Sequence, residues 1–281
     1  MADHSFRFGV ALVTVGSRAA WLEKVRTAAD LGYDTVQVPD HLGLAAPFPA
    51  LVAAAEVSRT MRLGTYVLNT ALYHPWVLAR DVADTHRLTD GRLELGLGTG
   101  YLEHEFAAAG LPFGSGADRL RHLAATLREV RERLAAEPDR PQPPVMLAGA
   151  GRRLLELAGR EADIVGFSVQ AAVTAGVQPE RALADRIAVV RAAAGDRFPG
   201  LELNLIIGAV GRRPAELDLT IARAATGLPD ELLLGLPSVL CGPEQEIADR
   251  LRRYRDELGI TYFGVLEPDM AAFAPIIARL R

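Results

Sequence analysis

The sequence predicts a single TIM-type (β/α)8 barrel spanning residues 1–281, and three observations predict it. Short apolar, β-branched runs alternate with longer stretches of helical periodicity, which argues for a parallel sheet with crossover helices. Eight such strand–helix units occur in series, and eight is the number that closes a barrel. A chain of 281 residues, 49% hydrophobic, is long for an ordinary domain but normal for one α/β barrel. An open doubly wound sheet would want a nucleotide loop after the first strand. Thr14-Val15-Gly16-Ser17 is a poor one.

The elements follow in order. Phe6–Leu12 reads as the first strand, and Ala19–Leu31 as a helix with Leu22, Val25, Ala28 and Leu31 near one face, stopped by Gly32. Thr35–Val38 is a β-branched strand ended by Pro39, followed by a helix over Pro49–Ser58. Arg62–Leu68 is the third strand and Pro75–Leu88 its helix; Thr89-Asp90-Gly91 turns into the fourth strand, Arg92–Leu97. A loop over Gly98–Gly116 precedes a long amphipathic helix from about Asp118 to Ala135, broken by Pro138–Pro144. Val145–Ala148, Ile164–Ser168, Leu201–Val210 and Thr261–Leu266 complete the strands. Their helices are Arg152–Arg160, Pro179–Ala194, Pro214–Leu234 (broken near Gly227 and Pro229), Glu244–Leu258 and Met270–Arg281.

Composition excludes several functions. A net charge of −4 without a clustered basic face argues against nucleic-acid binding. Lys24 is the only lysine and sits mid-helix, which disfavours Schiff-base chemistry. Cys241 stands alone, so neither a disulfide framework nor a cysteine zinc cluster is expected. No metal site is expected: Glu103-His104-Glu105 reads as a solvated stretch leading into a helix. No signal peptide and no apolar run approaching 18 residues are apparent, so the reading is a soluble cytoplasmic protein acting on a small molecule.

In a barrel the chemistry sits on the loops after the strands. The second strand ends in Pro39-Asp40-His41 amid apolar residues. A histidine beside a carboxylate in an apolar mouth suits proton transfer, and a helix cap plus a satisfied core histidine is the plainer alternative. Asn69, ending the third strand, offers a donor and an acceptor to a planar heterocycle, or merely turns the chain. Gly98-Thr99-Gly100 permits close approach of a flat ligand, or forms a tight rim. Gly149-Ala150-Gly151 with Arg152 directly precedes a helix, where free N–H groups attract phosphate; an ordinary short loop is the alternative.

Together these segments resemble the bacterial luciferase-like oxidoreductase family. The resemblance runs through Ala29-Asp30-Leu31-Gly32-Tyr33-Asp34 to Pro39-Asp40-His41, Arg62-Leu63-Gly64-Thr65, His74-Pro75, Leu88-Thr89-Asp90-Gly91-Arg92 to Gly100, Leu147 to Arg153 with Leu157 to Asp163, and Gly242 to Tyr262. The Pro-Asp-His ending is most similar to the actinobacterial branch that uses the deazaflavin coenzyme F420. The resemblance implies a hydride-transferring oxidoreductase with His41 moving a proton and Asp40 orienting it. It places Val67, in a bulged strand end often carrying a non-prolyl cis bond, and Asn69 behind the cofactor ring. Gly98, Thr99 and Gly100 line its cleft, and Gly149, Ala150, Gly151 and Arg152 take its phosphate. FMN with monooxygenase chemistry is the alternative, and a cofactor-free, non-enzymatic barrel the second; a homodimer is the family-level expectation.

Three departures from the family pattern stand out. Tyr101 occupies the place where sugar-phosphate dehydrogenases of the family carry a glutamate, Tyr73 a place where relatives often carry arginine, and Glu137–Pro144 is short. With Leu42, Leu44, Phe48 and Phe106, Tyr73 and Tyr101 make an apolar, partly aromatic wall suited to an apolar or ring-containing substrate.

Overall fold

A computed structural model describes residues 5–136 and 142–281. In chain order the strands are β1 (Arg7–Ala11), β2 (Thr35–Val38), β3 (Arg62–Thr65), β4 (Leu68–Asn69), β5 (Leu93–Gly98), β6 (Val145–Gly149), β7 (Ile164–Phe167), β8 (Glu202–Ile207), β9 (Ala209–Gly211), β10 (Val239–Cys241) and β11 (Ile260–Leu266). The α-helices are α1 (Arg18–Asp30), α2 (Pro47–Ala55), α3 (Pro75–Leu88), α4 (Glu103–Ala108), α5 (Gly116–Ala135), α6 (Arg152–Glu161), α7 (Pro179–Ala194), α8 (Thr220–Thr226), α9 (Asp230–Leu233), α10 (Glu244–Arg253) and α11 (Met270–Leu280). They fall into two compact units, one of residues 1–11, 28–35 and 148–281, the other of residues 12–27 and 36–147.

In the first unit β1, β11, β8 and β7 pair in parallel. Phe8, Phe263, Leu205 and Phe167 stand in register across them, and all four are buried. The Phe8 ring meets Phe273 of α11 edge-on at 5.9 Å, so this row faces the helices. The next row carries polar groups: Arg7 pairs with Glu202 at 2.9 Å and lies 3.9 Å over the Tyr262 ring. Gly159 lets α6 lie on α7, since a Cβ there would stand 2.7 Å from the Val190 carbonyl oxygen.

Asp269, at the start of α11, holds a pH-dependent contribution to this unit. Its carboxylate accepts the Val210 N–H at 3.3 Å. Burial, aided by the charge of Asp218, pushes the carboxyl up to about 6. A carboxyl raised on folding stabilises fully below its unfolded range, near 4, and loses that contribution as pH climbs through 6. Asp269→Asn keeps an acceptor and cannot ionise. It is therefore expected to gain about 1–2 kcal/mol over the wild type at pH 7.5, discounted from the full linkage value for partial solvation, and nothing at pH 4. Urea denaturation at the two pH values checks this.

In the second unit β5 pairs with β3, β4 and β6. The expected third strand, Arg62–Leu68, is two strands: the register offset is 30 residues at Gly64↔Glu94 and 29 at Leu68↔Leu97, so one extra residue bulges out between them. The Tyr66–Val67 peptide in this bulge is cis. The Thr65 hydroxyl bridges the gap, donating to the Gly96 carbonyl at 2.9 Å and accepting its N–H at 2.8 Å. α5 starts with a reciprocal Ser115–Asp118 capping box, and His74 caps α3 through the Trp76 N–H.

Other boundaries also differ from the expectations. The loop Gly98–Gly116 contains α4, a helix of six residues with no side-chain cap. Leu201–Val210 is broken at Gly208 into β8 and β9, and the unexpected β10 pairs with β9. Pro214–Leu234 is not one helix but a 3-10 turn at Pro214–Glu216 followed by the short α8 and α9, Gly227 ending α8 in a left-handed turn. Residues 137–141 of the short segment Glu137–Pro144 lie outside the described residues. Among the described residues, no helix is long and apolar enough to cross a membrane.

Candidate active site

The cluster of interest lies within the second unit. β2 delivers Asp40 and His41 at its C-terminal end, and the β4 end delivers Asn69 beside them. Asp40 Oδ2 accepts the Asn69 N–H at 3.0 Å. The Tyr73 hydroxyl also donates to Asp40. Burial is the largest influence on the Asp40 carboxyl and raises it, the Glu105 charge adding to the rise; the two hydrogen bonds and the nearby His41 act the other way. Burial and the Asp40 charge push the Tyr73 phenol far above its ordinary range, so it is a permanent donor.

His41 takes its partner from an unexpected place. Its Nδ1 stands 2.9 Å from Oε1 of Glu105 on α4, and the same oxygen accepts the Leu42 N–H at 3.1 Å. Glu105 is 4% exposed, not part of a solvated stretch as its Glu-His-Glu surroundings suggested. The contact to the imidazole thus comes from Glu105, 64 residues away, while Asp40 is engaged by Asn69 and Tyr73. The Tyr101 ring meets His41 at 89° with centroids 5.8 Å apart. Partial desolvation and the Glu105 charge raise the Tyr101 phenol, although the side chain as a whole is exposed.

The glycines at the β5 end make room for the protein's own side chains. A Cβ on Gly98 would stand 2.7 Å from Val67, and one on Gly100 2.5 Å from the Asn69 carboxamide. The Thr99 hydroxyl reaches only the neighbouring Gly100 carbonyl, at 3.4 Å. Arg119 secures the loop by donating to the Gly100 carbonyl at 3.2 Å. The Asn69 Oδ1 accepts the Ala71 N–H at 3.2 Å, but its buried Nδ2 has no hydrogen-bond partner among the described residues.

The expected wall is partly present. Leu42, Leu44 and Tyr101 are exposed, and the half-buried Phe48 meets the Tyr73 ring edge-on at 6.4 Å. Phe106 is not part of it: it is fully buried against Phe113, because α4 turns that face inward. Gly149, Ala150, Gly151 and Arg152 belong to the first unit. There Gly151 is the N-cap of α6 with no side chain closing the turn, and a Cβ on it would meet open space. Arg152 is exposed and paired with Glu156 one turn on at 2.9 Å, a weak surface pair that an anion could displace.

Comparison with known proteins identifies the family and the fold. The family model described as luciferase-like monooxygenase matches residues 4–225, well over half of the chain. An F420-dependent glucose-6-phosphate dehydrogenase of Beutenbergia cavernae is 29% identical, covering 90% of this chain and 91% of its own. The coenzyme F420-dependent tetrahydromethanopterin reductase of Methanopyrus kandleri superposes with a TM-score of 0.76 at 16% identity, over 99% of this chain and 100% of that one. A long-chain alkane monooxygenase superposes with a TM-score of 0.73 at 13% identity, over 100% and 92%. The fold is accordingly the parallel α/β barrel of these structures, and the chain is an oxidoreductase that belongs to the luciferase-like monooxygenase family.

Proposed function

We propose that this protein is an F420-dependent oxidoreductase that transfers a hydride between reduced deazaflavin and an apolar or ring-containing organic substrate, with His41 moving the accompanying proton. The observation that carries the reading is the cluster at the β2 and β4 ends: a half-buried imidazole, tied down through one nitrogen only, beside a buried carboxamide donor whose demand the protein leaves unmet. An unsatisfied buried donor costs about 1–3 kcal/mol. A carbonyl-bearing ring edge would offset that cost, so the residues present fit a deazaflavin or flavin ring. Within the first unit, and taken by itself, the uncapped N-terminus of α6 with Gly149, Ala150, Gly151 and Arg152 suits a phosphate group.

A bound deazaflavin supplies two-electron hydride chemistry and barely activates oxygen. The chain supplies the rest. Asp40 holds the Asn69 backbone in place, Val67 fills the hollows at Gly96 and Gly98, and His41 presents its Nε2 as the group that gives or takes a proton. The substrate class rests on the side chains around His41. Leu42, Leu44 and Tyr101 are exposed there, and Glu103, which opens the following α4, is an exposed carboxylate. A phosphorylated sugar would meet the wrong charge, and Tyr101 replaces the acid that the sugar-phosphate enzymes use.

Turnover tests this directly. Absorbance changes of F420 are expected with cyclic enones or aromatic alcohols and not with glucose 6-phosphate, and no oxygenated product is expected with reduced FMN and oxygen. Incorporation of an oxygen atom from dioxygen into the substrate with reduced FMN would instead establish the monooxygenase reading, and a clear preference for glucose 6-phosphate would overturn the substrate class.

A further inference from the structure

We infer that Glu105 is the positioning residue of His41 and fixes the imidazole as its Nδ1–H tautomer, leaving Nε2 as the working nitrogen; this rests on the proposed role of His41. The argument is one of donors and acceptors. Oε1 of Glu105 already accepts the Leu42 N–H, so the imidazole nitrogen 2.9 Å from that oxygen is best satisfied as a second donor. Which ring nitrogen of a histidine is protonated follows from the hydrogen bond the other makes. With Nδ1 committed as donor, a neutral His41 takes a proton at Nε2, and the cation, balanced by the Glu105 charge, returns it from the same atom.

Packing does not call for an acid at this position. Glu105 precedes Phe106, which is buried against the half-buried Phe113 ring, and it is itself almost fully buried, where an apolar side chain would fill the space at no desolvation cost. Neither does helix capping: Leu102, the N-cap of α4, receives no side-chain cap, and the Glu105 carboxylate reaches to Leu42 and His41 instead. The other titratable groups facing His41 are Asp40, its chain neighbour, and the Tyr101 phenol at the ring edge. Asp40 has its own two donors, and Tyr101 meets the imidazole through ring contact.

Ring-nitrogen NMR of protein labelled with 15N-histidine tests the inference without any cofactor. His41→Gln assigns the signal among the six histidines. The neutral wild-type ring is expected to show a protonated Nδ1 and a bare Nε2. Glu105→Gln keeps an acceptor oxygen held by the Leu42 N–H and retains that pattern; Glu105→Leu loses it to the Nε2–H form. Turnover of F420 is expected to fall about 10- to 100-fold in Glu105→Leu, the range seen when outer partners of ligating histidines are removed. It should recover most of the way in Glu105→Gln, with cofactor affinity within about threefold throughout. An Nε2–H ring in the wild type, or in Glu105→Gln should the leucine variant fail to fold, overturns the inference, as does an unchanged tautomer in Glu105→Leu. A wild type with the Nδ1–H ring and no affinity for F420 would overturn the proposed function and leave the positioning role standing.

Discussion

Replacing His41 by alanine is expected to lower kcat by about 10²- to 10⁴-fold, the usual contribution of a positioned general acid or base. Cofactor affinity should change by less than about threefold, because the Asp40–Asn69–Tyr73 hydrogen bonds do not run through the imidazole. The same substitution strips the buried Glu105 carboxylate of one of its two donors. A buried acceptor left short costs on the order of 1–3 kcal/mol, more for a charge, so the variant should also unfold at lower denaturant. Adding Glu105→Leu to His41→Ala removes the stranded charge. The double variant is therefore expected to regain stability without regaining turnover. Steady-state kinetics and urea denaturation on the same three proteins separate the two effects, and equal loss of stability in the single and double variants would argue that Glu105 is held by something other than His41.

Gly96→Ala is expected to be the most damaging small substitution in the second unit. Its Cβ would fall 2.1 Å from the Thr65 carbonyl oxygen and 2.8 Å from Val67. The first of these is backbone and cannot turn aside, and the Thr65 hydroxyl is already bonded to the Gly96 carbonyl and N–H. Either β5 or the bulge must move, which puts the cost at about 3 kcal/mol or more, above ordinary overpacking. Because the bulge carries Val67 and leads directly into Asn69, F420 affinity should fall as well. Gly200→Ala is the control: a Cβ there meets nothing within 4 Å, and the expected change is within about 0.5 kcal/mol. Denaturant midpoints of the two variants check the contrast.

The strands and helices were legible wherever local pattern decides them. Thr35–Val38 is apolar, β-branched and closed by a proline, and its bounds are those of β2. Pro75–Leu88 begins with proline after a capping histidine and is α3 to the residue. Asp40, His41 and Asn69 were legible because barrels place chemistry at strand ends. The pairings between them were not. Glu105 lies in a charged tripeptide whose composition reads as solvated, and only the fold, by bringing α4 back over the β2 end, buries it on a partner 64 residues away. The Tyr73 hydroxyl on Asp40 is likewise a long-range contact with no local signature. The glycines of Gly96-Leu97-Gly98-Thr99-Gly100 were visible as a demand for space, but the sequence could not say that Thr65, Val67 and Asn69 occupy it.

Under the proposed function this site holds F420 and uses His41 beside it. Titration of the purified protein with F420 and with FMN, each oxidised and reduced, followed by ligand fluorescence or calorimetry, tests it most directly. Saturable F420 binding at least tenfold tighter than FMN binding, retained in His41→Ala while turnover collapses, is the predicted result. Saturable binding of FMN with no measurable binding of F420 would contradict it.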